Sequence, residues 1–250
     1  MKTKLIATLL VAMLCLSATT KAQSNIVKIN LAALALVNIS IQDEYSINGN
    51  SSVALGLSYL PTRGLPSVLS SKDSTGNIAG ISFKGFSITP EYRYYVAGNG
   101  PEGFYIAGYF RYADYTLNNF YYNYTNSHNI TQLYGMSGDW KVTAAGLMIG
   151  AQWKLGDNFV FDWWIIGGAF GKNGGSLTGT GPLSAQDQAD FKKNISDVNI
   201  PTGSLTYSVT PNSVTITYDT GVPAIRGAGL CFGYLFGEGG GHHRSYHRRR

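Results

Sequence analysis

Between Pro223 and Phe236 the chain reads Pro-Ala-Ile-Arg-Gly-Ala-Gly-Leu-Cys-Phe-Gly-Tyr-Leu-Phe. From Leu230 onward every second residue is large and apolar or aromatic: Leu230, Phe232, Tyr234 and Phe236. The residues between them are mostly small, as at Gly229, Cys231 and Gly233. A period of two with a greasy face and a small face is the pattern of a β-strand that meets lipid on one side and a packed interior on the other.

The opposite end of the chain agrees with that reading. Lys2 and Lys4 precede an apolar stretch from Leu5 to Leu16, followed by Ser-Ala-Thr-Thr-Lys-Ala. This order is that of a secretory signal over 1–22, with cleavage expected before Gln23. The apolar stretch falls short of the ~20 residues that a membrane-spanning helix needs. Glycine and polar residues interrupt every later apolar run, so membrane crossing by strands is the remaining option. Charge excludes one class of partner. The formal net charge of +5 resides in the ends, because Lys2, Lys4 and Lys21 belong to the signal and Arg244, Arg248, Arg249 and Arg250 to the tail. The body between them is essentially neutral, which is not a nucleic-acid footprint. Cys231 is the one cysteine expected after processing, so neither an internal disulfide nor a cysteine metal site is expected.

Eight segments carry the two-residue period over spanning lengths: roughly 26–36, 39–47, 51–61, 85–97, 103–116, 140–155, 158–171 and 223–236. A tilted membrane strand needs about 9–11 residues. The connectors supply an independent test. Those at 48–50, 98–102 and 156–157 are short, whereas 62–84, 117–139 and 172–222 are long, so all the long connectors share one parity. Outer-membrane barrels keep short turns and both termini on the periplasmic side and long loops outside. The expectation is an all-β fold: an eight-stranded antiparallel transmembrane β-barrel over 23–236 with long exterior loops. Within 172–222, Ser184 and Asp187 are spaced as a capping box for a short helix over 185–195, and Pro211-Asn212 is flanked by two short alternating runs that form a hairpin. Ten strands in the barrel is the alternative. Residues 237–250 read as a flexible, basic, periplasmic tail with a glycine linker.

Several short motifs resemble a family. The signal ending in Ala22-Gln23, the early Lys28-Ile29-Asn30-Leu31, Glu44-Tyr45, Pro90-Glu91-Tyr92-Arg93-Tyr94-Tyr95 and the closing run Gly229–Phe236 are similar to small outer-membrane barrels of unknown function from anaerobic Gram-negative bacteria. The resemblance implies a porin-like barrel in the outer membrane, and it supplies no catalytic residues. Such barrels usually end on the terminal aromatic, whereas this chain continues past Phe236.

Strand alternation selects the candidate residues. Lys28, Asn30, Glu44, Glu91, Arg93, Arg111, Gln152, Lys154 and Asp162 fall on the inward parity, together with Cys231. They are expected to form a polar network that fills the lumen, because a lone charge there is costly to desolvate. Phe104, Phe110, Leu147, Ile149, Trp163, Ile165, Phe232 and Phe236 are expected to face lipid, and Asp43 also falls on the outward parity. In the first long loop, 62–84, Asp73-Ser74-Thr75 is a weak O-glycan acceptor pattern. In the second, 117–139, Tyr121, Tyr122, Tyr124 and His128 form a candidate exterior recognition surface, since tyrosine buries area at little entropic cost. The alternative for those rings is an aromatic girdle at the headgroups. Outside the tail His128 is the only histidine, and an adjacent Ser127 does not make a catalytic triad. The functional expectation is a non-enzymatic surface barrel without cofactor or metal, structural or mediating contact through its exterior loops. Outer-membrane lipid, lipopolysaccharide and the barrel-assembly machinery are its expected partners, along with a surface or periplasmic partner of unknown identity, and the state is monomeric. The alternatives are a narrow transporter of small or apolar solutes and a lipid-modifying enzyme.

Overall fold

The computed structural model describes residues 24–64, 80–97, 100–126, 129–198 and 202–236. The signal segment, Asp73–Thr75, Ser127, His128 and the tail lie outside them. Ten strands and two helices follow in order: β1 (Asn25–Asn30), α1 (Leu31–Ala35), β2 (Ile39–Ser46), β3 (Ser51–Gly64), β4 (Ser82–Tyr95), β5 (Gly103–Thr125), β6 (Thr131–Leu155), β7 (Phe159–Thr180), α2 (Ala185–Ser196), β8 (Gly203–Thr210), β9 (Ser213–Arg226) and β10 (Gly229–Phe236). Every pairing is antiparallel and joins sequence neighbours, except that β9 pairs with β7 and that β10 joins β1 on one side and β7 on the other. That pairing closes a ring of eight: β1 through β7 and β10.

The barrel is thus of eight strands and not ten, and the other two strands extend the same sheet beyond the ring. β9 pairs with β7 through Arg226↔Gly167, and β10 pairs with β7 through Gly229↔Trp164, in one continuous register. They are thus one long strand interrupted at Gly227 and Ala228, and β8 is an added strand hydrogen-bonded to β9 alone. The hairpin turn at Pro211-Asn212 and the helix with its capping box are where the sequence places them.

Outward and inward faces separate cleanly in the lower barrel. Along β10 the burial alternates without a break, with Leu230, Phe232, Tyr234 and Phe236 outside and Gly229, Cys231, Gly233 and Leu235 inside. On β5 the outer face is apolar from Phe104 to Tyr112 and then changes to Asp114; on β6 it runs from Leu155 to Ala145 and changes at Lys141. An apolar belt of this height suits strands that need about 9–11 residues to cross hydrocarbon. Phe104, Phe110, Leu147, Ile149, Trp163, Phe232 and Phe236 all lie on the belt. Asp43 keeps the outward parity, half-buried between the inward Gln42 and Glu44.

Four expectations need correction. The first strand does not continue to residue 36. Asn30 caps a helical turn by accepting from the Ala33 amide at 2.9 Å, and Leu-Ala-Ala-Leu-Ala are among the strongest helix formers. Second, Ile165 is not a regular lipid-facing position. A bulge lies there, since Ile149 pairs with Ile166 while Gly150 pairs with Trp164, and Ile166 is the exposed side chain. Third, the connectors at 117–139 and 172–222 are largely strand: β5, β6 and β7 run on to Thr125, from Thr131 and to Thr180. Fourth, the tyrosines at 121–124 are not a recognition loop. Beyond the belt the elongated strands carry α2, and Phe191 of that helix inserts among Tyr122, Tyr124 and Tyr134 with ring centroids 5.1, 4.7 and 5.4 Å away. Met136, Ile195, Val214 and Ile216 complete this exterior core. Only Tyr121 of the three remains exposed.

A second bulge causes that inversion. The register between β5 and β6 shifts between Leu117 and Phe120, with Asn119 at φ +57°. Asparagine tolerates the left-handed region better than most residues. The extra residue flips the parity of β5, turning Tyr122 and Tyr124 onto α2 instead of into solvent.

Candidate functional site

The lumen of the lower barrel is filled by side chains that reach across it. Lys28 on β1 donates to Glu44 on β2, to Gln152 Oε1 on β6 at 2.7 Å and to Asp162 Oδ2 on β7 at 2.8 Å. Arg93 on β4 donates through Nη1 to Asp162 Oδ2 at 2.8 Å and Glu44 Oε2 at 3.1 Å. Its Nη2 reaches Gln42 Oε1 at 2.7 Å and Glu91 Oε2 at 2.9 Å. Two strands on opposite sides of the ring, β1 and β4, therefore send cations to the same carboxylates. The side chains of Lys28, Glu44, Arg93 and Asp162 are completely buried.

Neutral donors finish the shell. The hydroxyls of Tyr95 and Ser52 donate to Glu44 Oε1 at 2.6 and 2.5 Å, the Tyr105 hydroxyl donates to Asp162 Oδ1 at 2.8 Å, and the Trp164 indole donates to Asp162 Oδ2 at 3.2 Å. Arg226 Nη2 lies 2.6 Å from Glu91 Oε1. Lys28, Arg93 and Arg226 thus stand against Glu44, Glu91 and Asp162, and the cluster is neutral. Neutrality and hydrogen bonding together are what make buried charges tolerable. Space for the long side chains comes from glycine. A Cβ on Gly233 would stand 2.5 Å from Lys28 Cγ and 2.8 Å from the Val27 carbonyl. At Gly150 a Cβ would collide with the Tyr105 ring.

Six of the candidate residues, Lys28, Glu44, Glu91, Arg93, Gln152 and Asp162, meet in this one network. Arg111 lies above it and donates to Thr89 Oγ1 at 3.2 Å. Lys154 is instead at the lower rim, 30% exposed and 4.0 Å from Glu102. Asn30 is buried but occupied as the cap of α1. Sequence reasoning missed Gln42, Ser52, Tyr95, Tyr105, Trp164 and Arg226. Gln42, Tyr95, Tyr105 and Trp164 share the inward parity of Glu44, Arg93, Arg111 and Asp162 on their own strands and could have been found from it. Ser52 lies on β3, where no inward residue had been recognised. Arg226 was hidden, because the interruption at Gly227–Ala228 reverses the parity extrapolated back from Leu230.

Each carboxylate of the network is held by at least one cation, and the bonds run between strands across the lumen. The chemistry such an arrangement performs is closure. Among the described residues no three His, Cys, Asp or Glu side chains group as a metal site. Ser127 and His128 fall outside the described residues.

Residues 7–172 match the family described as Protein of unknown function (DUF3575). The chain belongs to this family. No curated protein matches it. Among solved structures it is similar to Ail, the attachment invasion locus protein of Yersinia pestis, at 13% identity over 87% of this chain and 100% of that one, with a TM-score of 0.32. It is also similar to the beta domain of the Bordetella autotransporter BrkA, at 12% identity over 86% of this chain and 98% of that one, with a TM-score of 0.29. Likenesses this distant leave the barrel resting on its own strand pairing.

Proposed function

We propose that this protein is a monomeric, non-enzymatic barrel of the outer membrane, closed through its lower lumen, which acts through the folded extension it carries above the membrane. The observation that carries the reading is the pairing of an apolar outer belt with a neutral ion cluster inside. A one-residue slip of β4 would drive Glu91 and Arg93 into hydrocarbon. Arginine there costs about 2–4 kcal/mol at the bilayer midplane. The extension favours contact at the cell surface over transport, because β5 to β9 continue beyond the belt into a packed core with α2. Lipid, lipopolysaccharide and the barrel-assembly machinery are the partners this reading implies. The His/Arg-rich tail would lie in the periplasm.

Fractionation and conductance test it. The protein should stay with outer membranes until detergent is added, and it should migrate faster unheated than boiled. In planar bilayers the native protein should pass almost no current, whereas Arg93→Ala should open measurable conductance. Native channels of porin size would replace this reading with transport. Altered lipid A in a deletion strain, reproduced by His128→Ala, would replace it with an enzyme.

A further inference from the structure

Above the ion cluster the barrel is built differently on one side. β9 is paired on both edges only as far as Thr220, after which Gly221 bonds to Thr202. Among the described residues, 222–226 pair with β7 alone. Across from them, again among the described residues, Ile39 and Ser40 of β2 pair only with β3, and β3 from Leu60 to Gly64 pairs only with β4. The ring that is closed below therefore has a seam in its upper half, between β9 and the β2–β3 edge. α1 and the turn after it stand beside β2 and β10 at the seam's foot, with Leu31, Leu34, Leu36 and Val37 exposed. Pro223 is at home on such an edge, since proline cannot donate to a neighbouring strand.

Inside the seam lies a cavity of about 320 Å³, bounded by Tyr109, Arg111, Tyr115, Trp140, Arg226 and the backbone near Ile225. That is within the ~300–1,000 Å³ range of small-ligand pockets. Its walls combine aromatic surface with two cations. Arg111 donates to Thr89 Oγ1. Arg226 is only 7% exposed, stacked over Tyr109 at 4.8 Å and Trp164 at 4.3 Å, and its Nε and Nη1 have no hydrogen-bond partner among the described residues. Buried donors are nearly always satisfied. Arg226 lines the cavity while these two donors are sealed against solvent, so a turn of the guanidinium is what would present them to an anion, and aromatic walls receive a hydrocarbon chain.

We propose that the upper lumen binds a single-chain amphiphile with an anionic head, carboxylate or phosphate, which enters sideways from the outer leaflet through the seam between β9 and β2. The head pairs with Arg226 and Arg111, and the chain lies against Tyr109, Tyr115 and Trp140. The sideways route rests on the outer-membrane reading above; the site itself does not. Arg226 shares Glu91 with the neutral cluster beneath, so Arg111, above it and outside every ion pair of the cluster, supplies the positive charge that an entering anion meets.

Tryptophan quenching tests the site in the full mature chain refolded in detergent micelles. Trp153→Phe and Trp163→Phe remove the two outward indoles, leaving Trp140 and Trp164 as reporters. The probe is 11-bromoundecanoate. Quenching should saturate, and laurate or dodecyl phosphate should reverse it, the stronger competitor identifying the head. Dodecyltrimethylammonium at the same concentration should not reverse it. Arg226→Gln should weaken the apparent affinity at least tenfold. Arg111→Gln, which leaves every ion pair of the cluster intact, should weaken it several-fold and guards against a misfolded first variant. Heat-dependent gel mobility checks that each variant is folded, so a folded barrel that fails to bind overturns the chamber alone. A protein with no heat-dependent mobility overturns the barrel. Quenching that is linear in probe, equally relieved by the cationic amphiphile, or unchanged by both arginine variants also rules the proposal out.

Discussion

Strand β6 passes through two kinds of surroundings, and its two halves bury opposite things. Near Leu155 its outward side chains include Trp153, Ile149 and Leu147, while the inward Gln152 belongs to an ion cluster. Farther along, the outward positions hold Lys141, Asp139 and Ser137, and the inward ones hold Met136 and Tyr134 of an apolar core. The strand is one and the same, paired with β5 over nearly all its length. With the lower part in lipid and the upper part in water, the composition of each interior follows from what lies outside it. Lipid lets apolar side chains face outward, and water does not. The polar cluster is held by mutual neutralisation, whereas the exterior core is held by transfer from water and close packing.

The two interiors should therefore fail differently. Removing one member of a buried ion cluster strands the others, at a cost of roughly 3–5 kcal/mol. Arg93→Met, which deprives Glu44, Glu91 and Asp162 of a shared cation, should lower the unfolding free energy of the refolded barrel, read from its urea titration, by that amount. A change below about 1 kcal/mol would mean that solvent reaches the cluster and that the lumen is not a closed core. In the exterior core the cost tracks lost volume instead. Phe191→Ala should cost about 3 kcal/mol, the low end for such truncations, because α2 can settle inward. Its readout is local: protease cleavage between 181 and 202, with gel mobility of the barrel unchanged. If the barrel melts with it, the two regions are one cooperative unit and the contrast is lost.

How legible each region was in the sequence follows the same division. In the lower barrel, alternation of Phe86-Ile88-Pro90-Tyr92-Tyr94 against Ser87-Thr89-Glu91-Arg93-Tyr95 is strong because lipid and a charged lumen sit on the two faces. That contrast identified six members of the cluster. Alternation carries no memory across a bulge, however. The flip at Ile165 put that residue on the wrong face, the one at Gly227–Ala228 hid Arg226, and Tyr122 and Tyr124, read as loop, lie on β5 beyond the bulge at Asn119. The helix α2 was legible because its cap is local chemistry, contained in Ser184 and Asp187. What it packs against was not, since Phe191 meets rings more than fifty residues away. α1 was missed for the opposite reason, as a single helical turn is too short to impose its own period.

The smallest expected effect isolates the part of the contrast that depends on pH. In the capping box the Asp187 amide donates to Ser184 Oγ at 3.1 Å, while the Ser184 hydroxyl and amide donate to Asp187 Oδ2 at 2.6 and 3.1 Å. The Ser184 hydroxyl bond is the chief reason that the Asp187 carboxyl is held below the usual carboxylate range; the Ser184 amide and, more weakly, the Tyr124 hydroxyl assist. A carboxyl whose folded value is depressed stabilises the fold fully above its unfolded value, about 3.9. That contribution fades as pH falls through the lower, folded value. Pepsin cleavage between 181 and 202 should therefore accelerate below about pH 4 beyond what the enzyme's own pH profile explains. Ser184→Ala should cost about 1 kcal/mol at neutral pH, the usual price of a lost cap. It should also flatten the acid dependence, because Asp187 then has its principal donor removed. A native extension whose corrected cleavage rate is level from pH 5 to pH 3 would show that α2 is anchored by Phe191 alone, and the exterior core would then be as indifferent to protons as its apolar composition suggests.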